Sequence, residues 1–214
     1  IRQRCARRVA LTQRRITTAP AARARLLGLR HNAALTTHHT KEERTVKAPS
    51  FAYARPRSLA EAFDLLDTHG DGAKILAGGQ SLLASLNMRL SSPDVLVDIT
   101  GVPGLTGVRV EGTTLRIGAL TTHAEIERSP EIAKHLPLLA QAVPHIAHVA
   151  IRNVGTFGGS VALADPAAEY PACALALDAT LVIASRKGER RVAARDFFRG
   201  LYDTALQAGE LLVA

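Results

Sequence analysis

Two short stretches carry residue types that can do chemistry. Ala77-Gly78-Gly79-Gln80-Ser81 follows an apolar run, and Gly155-Thr156-Phe157-Gly158-Gly159-Ser160 lies further along the chain. Glycine lets a backbone approach a ligand with no Cβ in the way. The first N–H groups of a helix, with their partial positive charge, favour a phosphate. Gln80, Ser81, Thr156 and Ser160 add side-chain donors beside those amides. Taken alone, each stretch reads equally as a turn that needs a positive φ. Taken together, two donor-rich loops can enclose a pyrophosphate. Neither is a G-x-G-x-x-G turn, the fingerprint of a dinucleotide-binding βαβ unit. No Lys-Ser/Thr follows the glycines, so a P-loop is excluded as well. A nucleotide cofactor bound here is held by another fold.

The remaining candidates are weaker. Asp165 and Glu169 are four apart and share a face if both are helical, a spacing that suggests general acid–base work. Pro166 between them and the glycine turn before them favour binding of cofactor hydroxyls instead. His145 and His148 are three apart but have no third ligand nearby, so no metal is expected. Arg152-Asn153 reads as a brace for the second turn, with Asn153 a candidate for a left-handed residue. Arg186, Lys187, Arg190 and Arg191 read as a solvated turn. Cys5 and Cys173 fit no disulfide or metal spacing, and Cys173 in its Ala/Leu run reads as a small buried hydrophobe. No residue is expected to act as a catalytic acid, base or nucleophile.

The elements that must position these stretches follow from periodicity. Ser58-Leu-Ala-Glu61 opens a helix with a capping-box arrangement; Leu59, Ala62, Phe63, Leu65 and Leu66 form its apolar face and Gly70 closes it. "AKILAG" and "DVLVDIT" read as strands, with the helical "QSLLASLNMRL" between them. "GLTGVRVEGTTLRIGAL" alternates across Gly112-Thr113 and reads as a hairpin. A helical stretch interrupted by Pro130, Pro137 and Pro144 follows, then a short helix with Pro171 near its start. "TLVIAS" reads as a strand, "RKGERR" as a charged turn and "VAARDFF" as another strand or strand end. The sum is an α+β (mixed α/β) fold with parallel and antiparallel pairings. The closing "GELLVA" reads as a strand with no partner, an expectation that a C-terminal portion is missing.

Charge is unevenly placed. Residues 1–47 hold 12 Lys/Arg against 2 acids, while residues 48–214 hold 15 against 17. The globular part therefore has no electrostatic case for nucleic acid. An Arg-rich, acid-poor leader is the composition of a mitochondrial transit peptide, but serine is absent and no helical stripe is sustained. A nucleic-acid-binding tail is the alternative. A third reading uses the genetic code: Lys41-Glu42-Glu43 can be encoded by a purine-rich ribosome-binding sequence, and Val46 by GTG. On that reading residues 1–45 are translated upstream sequence and the protein starts at Val46. No apolar run is long enough for a membrane span, and the chain is expected to be soluble, reduced and cytoplasmic.

"KILAGGQSLLASLNMRL", "LRIGALTTHAEIERS" and "IRNVGTFGGSVALADPAAEYPACALALDA", in that order, resemble the FAD-binding medium subunit of molybdenum hydroxylases, from about Pro49 to the last residue. The resemblance implies a two-subdomain FAD-binding fold: a small α/β subdomain over about 48–100, a larger α+β one over about 101–214, and no C-terminal α/β portion. Residues 1–47 fall outside it. It places Lys74, Leu76, Ala77, Gly78, Gly79, Gln80, Ser81 and Leu82 on one side of the FAD diphosphate and Thr156, Gly158, Gly159 and Ser160 on the other. Asp165 and Glu169 fall at polar contacts to the ribityl or adenosine part, His123 near the adenine or ribose, and Leu212 near the flavin edge. Phe157 stands where isoleucine is commoner and adds volume near the isoalloxazine.

The implied function is electron transfer within a molybdenum-containing hydroxylase or dehydrogenase, from iron–sulfur clusters through FAD to an external acceptor. The implied partners are a molybdenum-cofactor large subunit and a [2Fe–2S] small subunit, assembled as a dimer of heterotrimers. A flavin-free scaffold that keeps the fold is the rival, and the retained donors Gln80, Ser81, Thr156 and Ser160 argue against it.

Overall fold

The computed structural model describes residues 47–214, and the readings made of residues 1–46 fall outside that range. The described chain opens with a short strand, β1 (Ala52–Ala54), and a helix, α1 (Leu59–His69). The Ser58 hydroxyl accepts the Glu61 N–H at 3.2 Å, as an N-cap should. The Glu61 carboxylate accepts the Arg57 N–H, one residue before the Ser58 N–H that a reciprocal capping box would use. Ala62, Phe63 and Leu66 are buried, and the Gly70 N–H closes the helix on the Leu66 carbonyl at φ 50°.

Strands β2 (Ala73–Leu76) and β3 (Val95–Asp98) flank the helix α2 (Leu82–Asn87). β3 is the central strand, parallel to both neighbours, with Val95 opposite Ala52 and Ala73. All four of its residues are buried, which explains its unbroken apolar run up to Asp98. The hairpin β4 (Val108–Glu111) and β5 (Thr114–Ile117) turns at Gly112-Thr113 as expected. Gly112 supplies the positive φ (62°) that such a two-residue loop needs.

The prolines divide the next stretch as periodicity suggested. Pro130 and Pro137 are the first residues of α4 (Pro130–His135) and α5 (Pro137–Ala142), after α3 (His123–Arg128). Proline suits that position because its missing N–H has no helical acceptor there. Three short helices follow: α6 (Val149–Arg152), α7 (Phe157–Leu163) and α8 (Glu169–Ala176).

The last third departs from expectation in three places. The turn after β6 (Thr180–Ser185) is only Arg186-Lys187, and Gly188–Ala193 forms β7, antiparallel to β6. Ala194–Phe197 is a short helix, α9, before the strands β8 (Phe198–Gly200) and β9 (Asp203–Thr204). Two of the four cations read as solvated, Arg186 and Arg190, are tethered. Arg186 pairs with Asp64 and Asp67 on α1, and Arg190 makes a two-point pair with Glu210 at 2.8 and 2.7 Å. That pair holds the Glu210 carboxyl below its usual range. The closing strand, β10 (Leu211–Leu212), is not partnerless: it pairs antiparallel with β6, and the Val213 carbonyl accepts the Ala119 N–H at 3.0 Å.

Two apolar cores meet at β6. Leu181 and Ile183 enter one core with Tyr170, Phe197 and Leu212, and Val182 and Ala184 enter the other with Phe63, Val97, Leu211 and Val213. Alternation along an extended strand sends successive side chains to opposite faces. A strand buried on both faces loses its polar alternation, and "TLVIAS" reads accordingly.

Candidate functional site

The two glycine stretches touch. A Cβ on Gly78 would collide with the Val154 carbonyl and lie 2.8 Å from the Gly155 Cα. Gly155 is as constrained: its Cβ would sit 2.6 Å from His123 Nε2. On Gly158 a Cβ would run into Ala119, 2.7 Å from its Cα. These glycines let three backbone segments close on one another. At Gly79 the requirement is conformational, a φ of 70° that residues with a Cβ adopt at a cost.

The amide accounts of the two turns differ. Among the described residues, the N–H groups of Gly78, Gly79, Gln80 and Ser81 have no acceptor. Gln80 Nε2 donates to the Gly78 carbonyl at 2.9 Å and fixes the turn from within. Ser81 precedes α2 with no side-chain capping bond, and its hydroxyl and that of Ser160 have no partner among the described residues. The second turn has spent its amides. The Phe157 N–H goes to the Thr121 carbonyl at 2.9 Å, Gly158 to Ala119 at 2.8 Å, and Ser160 to Thr156 at 3.1 Å. The Gly159 N–H is capped by Thr156 Oγ1 at 3.2 Å. So the expectation that both turns offer the same donors fails for the backbone of the second: its first-turn amides hold Gly155–Ser160 against the 119–121 segment. What it presents is small residues and the Ser160 hydroxyl.

Beneath the second turn lies a buried aromatic group. The Tyr170 ring is 5.1 Å from His123, edge-on, and 4.9 Å from Phe157. His123 and Tyr170 are 5% and 0% exposed, and neither His123 Nδ1 nor the Tyr170 hydroxyl has a partner among the described residues. Burial, with a contribution from the nearby Arg152 charge, pushes the imidazole down to about 4, so it is neutral near pH 7. Burial drives the Tyr170 hydroxyl well above its ordinary range.

The other expected residues are placed as follows. Lys74 is exposed on β2, Leu76 ends that strand, and Ala77 leads into the first turn. Leu82 begins α2. Asp165 lies before α8, where its Oδ1 accepts the Ala167 N–H at 2.9 Å, and Glu169 is the first residue of α8. They do not share a helical face, because the chain between them is not helical. Glu169 has no hydrogen bond or ion pair among the described residues. Leu212 is buried in the core with Tyr170. His145 and His148 are exposed, and no group of three metal-ligating side chains occurs among the described residues.

Asn153 is right-handed (φ −69°, ψ −18°), not left-handed. The Gly155 N–H still bonds back to the Ile151 carbonyl at 2.7 Å, so the helical path runs through Asn153. The roles of Ala119, Thr121 and Val154 were not anticipated, since they act through main-chain atoms that residue type does not reveal.

The domain is thus a parallel α/β layer packed on one face of an antiparallel sheet, with the two glycine turns in contact. The family described as the FAD binding domain in molybdopterin dehydrogenase matches residues 49–214. The nicotine 6-hydroxylase medium subunit of Paenarthrobacter nicotinovorans is 48% identical over 167 residues, covering 78% of this chain and 59% of that one. The carbon monoxide dehydrogenase medium chain of Hydrogenophaga pseudoflava is 42% identical, covering 77% and 58%. Among solved structures, carbon monoxide dehydrogenase from Hydrogenophaga pseudoflava superposes with a TM-score of 0.76 at 43% identity, over 78% of this chain and 58% of that one. Quinoline 2-oxidoreductase from Pseudomonas putida 86 gives 0.76 at 45% identity, with the same coverage. The chain belongs to the FAD-binding domain family of molybdopterin dehydrogenases, and its cofactor is FAD. It spans less than three fifths of the length of the relatives named here. No helix among the described residues is long and apolar enough to cross a membrane.

Proposed function

We propose that the chain is the FAD-holding part of a flavin subunit in a molybdenum-containing hydroxylase or dehydrogenase. The observation that carries the reading is the run of four amides at Gly78–Ser81 with no acceptor among the described residues, set directly against the second glycine turn. Successive N–H groups around a left-handed residue form an anion-binding concavity. No carboxylate occurs among residues 76–82 or 154–163 to oppose a diphosphate. The residues present therefore fit FAD on the first-turn side through backbone donors, Gln80 and Ser81. On the second side they fit through the small residues Gly158 and Gly159 and the Ser160 hydroxyl, with Thr156 and Phe157 holding the turn in place.

Lys74 adds a positive charge on the first side, and Leu76, Ala77 and Leu82 frame the turn. His123 holds the second turn by donating its backbone N–H to the Gly155 carbonyl at 3.0 Å. Asp165 and Glu169 provide carboxylates for sugar or ribityl hydroxyls, and Leu212 backs the site from the core. FAD supplies the redox chemistry when bound; the chain's task is to bind, orient and shield it. Electrons released by hydroxylation at a molybdenum centre would arrive through iron–sulfur clusters and leave to an external acceptor. Partner subunits carrying those centres, a dimer of heterotrimers and a cytoplasmic location complete the proposal.

The test is the visible spectrum of the full-length protein purified with its partners, followed by mass analysis of the released cofactor. A flavin spectrum and released FAD are expected. A colourless complex would favour the flavin-free scaffold, and FMN would refute the diphosphate reading.

A further inference from the structure

Arg152 makes more contacts than a brace between helices requires. Its side chain is 11% exposed, and its Nε donates to Glu127 Oε2 on α3 at 3.0 Å. Its Nη1 reaches the Ile146 and Ala147 carbonyls, both at 3.1 Å, and the Pro144 carbonyl at 3.4 Å. Ala147 is a non-glycine residue at φ 44°, so the captured loop is one that needs holding. A planar guanidinium presents several fixed donors at once, which the point charge of lysine cannot do.

The loop and helix so fixed lead straight into the second turn. α6 ends at Arg152, and the Val154 and Gly155 N–H groups both bond back to the Ile151 carbonyl, at 3.1 and 2.7 Å. The Val154 carbonyl and the Gly155 Cα are the atoms against which Gly78 packs. α3 is thereby attached to this segment at two points: His123 N–H to the Gly155 carbonyl at its start, and Glu127 to Arg152 one turn later.

We propose that Arg152, anchored by Glu127, is a positioning residue of the cofactor site: it sets the seat of Val154-Gly155 under Gly78, and through it the direction of the free amides at 78–81. The inference rests on reading those amides as the diphosphate edge. Arg152 Nε and Nη1 are spent on protein groups, while Nη2 has no partner among the described residues; the role assigned to the side chain is the one it exerts through the turn.

The experiment compares FAD affinity, melting temperature and the 31P spectrum of bound FAD in the full-length wild type and in Arg152→Ala, Arg152→Lys and Glu127→Gln. Arg152→Ala is expected to bind FAD about 10- to 100-fold more weakly, the result of leaving the seat correctly placed in only about 1–10% of molecules. Its bound diphosphate resonances should shift or broaden. Added guanidinium ion should recover much of the affinity in Arg152→Ala and change nothing in the wild type. Arg152→Lys should fall between, because its one ammonium cannot serve Glu127 and the 144–147 carbonyls at once as Nε and Nη1 do, and Glu127→Gln should lose less than Arg152→Ala.

Wild-type-like affinity in Arg152→Ala overturns the inference, as does a loss that tracks melting temperature alone with unchanged 31P resonances and no guanidinium rescue. If Arg152→Ala does not fold, Arg152→Lys and Glu127→Gln decide by the same spectra. A wild type that binds no FAD refutes the reading of the site instead, a separate result.

Discussion

Replacing Ser81 by aspartate separates cofactor binding from folding, because the two effects have opposite signs. Ser81 is exposed, makes no capping bond and has an ordinary right-handed backbone (φ −99°, ψ −43°) that aspartate adopts freely. Without cofactor, a carboxylate beside the start of α2 meets unpaired amides and a positive helix end, a change worth about 0.3–1 kcal/mol in favour of the fold. With FAD, the same carboxylate lies beside the diphosphate. Two like charges about 4 Å apart repel by about 1 kcal/mol in water and about 4 kcal/mol at the effective dielectric of a protein surface. Affinity should fall by roughly fivefold to a thousandfold, with no fall in the melting temperature of the cofactor-free protein. Ser81→Asn, which matches aspartate in size, keeps a side-chain donor and adds no charge, should lose far less affinity than Ser81→Asp. The assay is a flavin-fluorescence titration beside thermal unfolding. Unchanged affinity in Ser81→Asp would remove the first turn from the phosphate site.

Three further outcomes follow from the packing. Gly78→Ala forces a Cβ onto the Val154 carbonyl and should cost about 1–3 kcal/mol of stability together with part of the FAD affinity, read by denaturant unfolding and titration. Tyr170→Phe deletes a buried hydroxyl with no partner among the described residues, so it should leave the melting temperature unchanged or raise it, where an ordinary buried tyrosine would lose stability. The His123 imidazole is held near 4 in the folded state against an ordinary 6.5, so the unfolded chain takes up its proton first. Stability should be full above about pH 6.5 and decline by up to about 3 kcal/mol as pH falls to about 4. In His123→Phe that part of the pH dependence should vanish in urea unfolding at matched pH.

Local rules made much of this architecture legible. Ser58 and Gly70 bounded α1, Pro130 and Pro137 started their helices, and Gly112-Thr113 turned its hairpin, because each acts on its own backbone or the next turn. The misreadings have tertiary causes. β7 carries Glu189, Arg190 and Arg191 and reads as a turn, yet pairing with β6 and the Arg190–Glu210 contact hold it extended. The last strand seems unpartnered in the sequence because its partner, β6, lies far upstream.

At the site, the glycines were legible and their purpose was only half so. Gly79 serves the local backbone, but Gly78, Gly155 and Gly158 are required by Val154, His123 and Ala119, neighbours that only the fold supplies. For the same reason nothing in "TFGGS" announces that its amides are consumed by the 119–121 segment.

The most direct test of the central claim is residue-resolved amide hydrogen exchange on the full-length protein, with and without FAD. The four N–H groups of Gly78, Gly79, Gln80 and Ser81 should exchange fast without FAD and become protected with it. Those of Phe157, Gly158 and Gly159, already bonded to Thr121, Ala119 and Thr156, should be slow in both states. Bound FAD that leaves residues 78–81 unprotected would contradict the account.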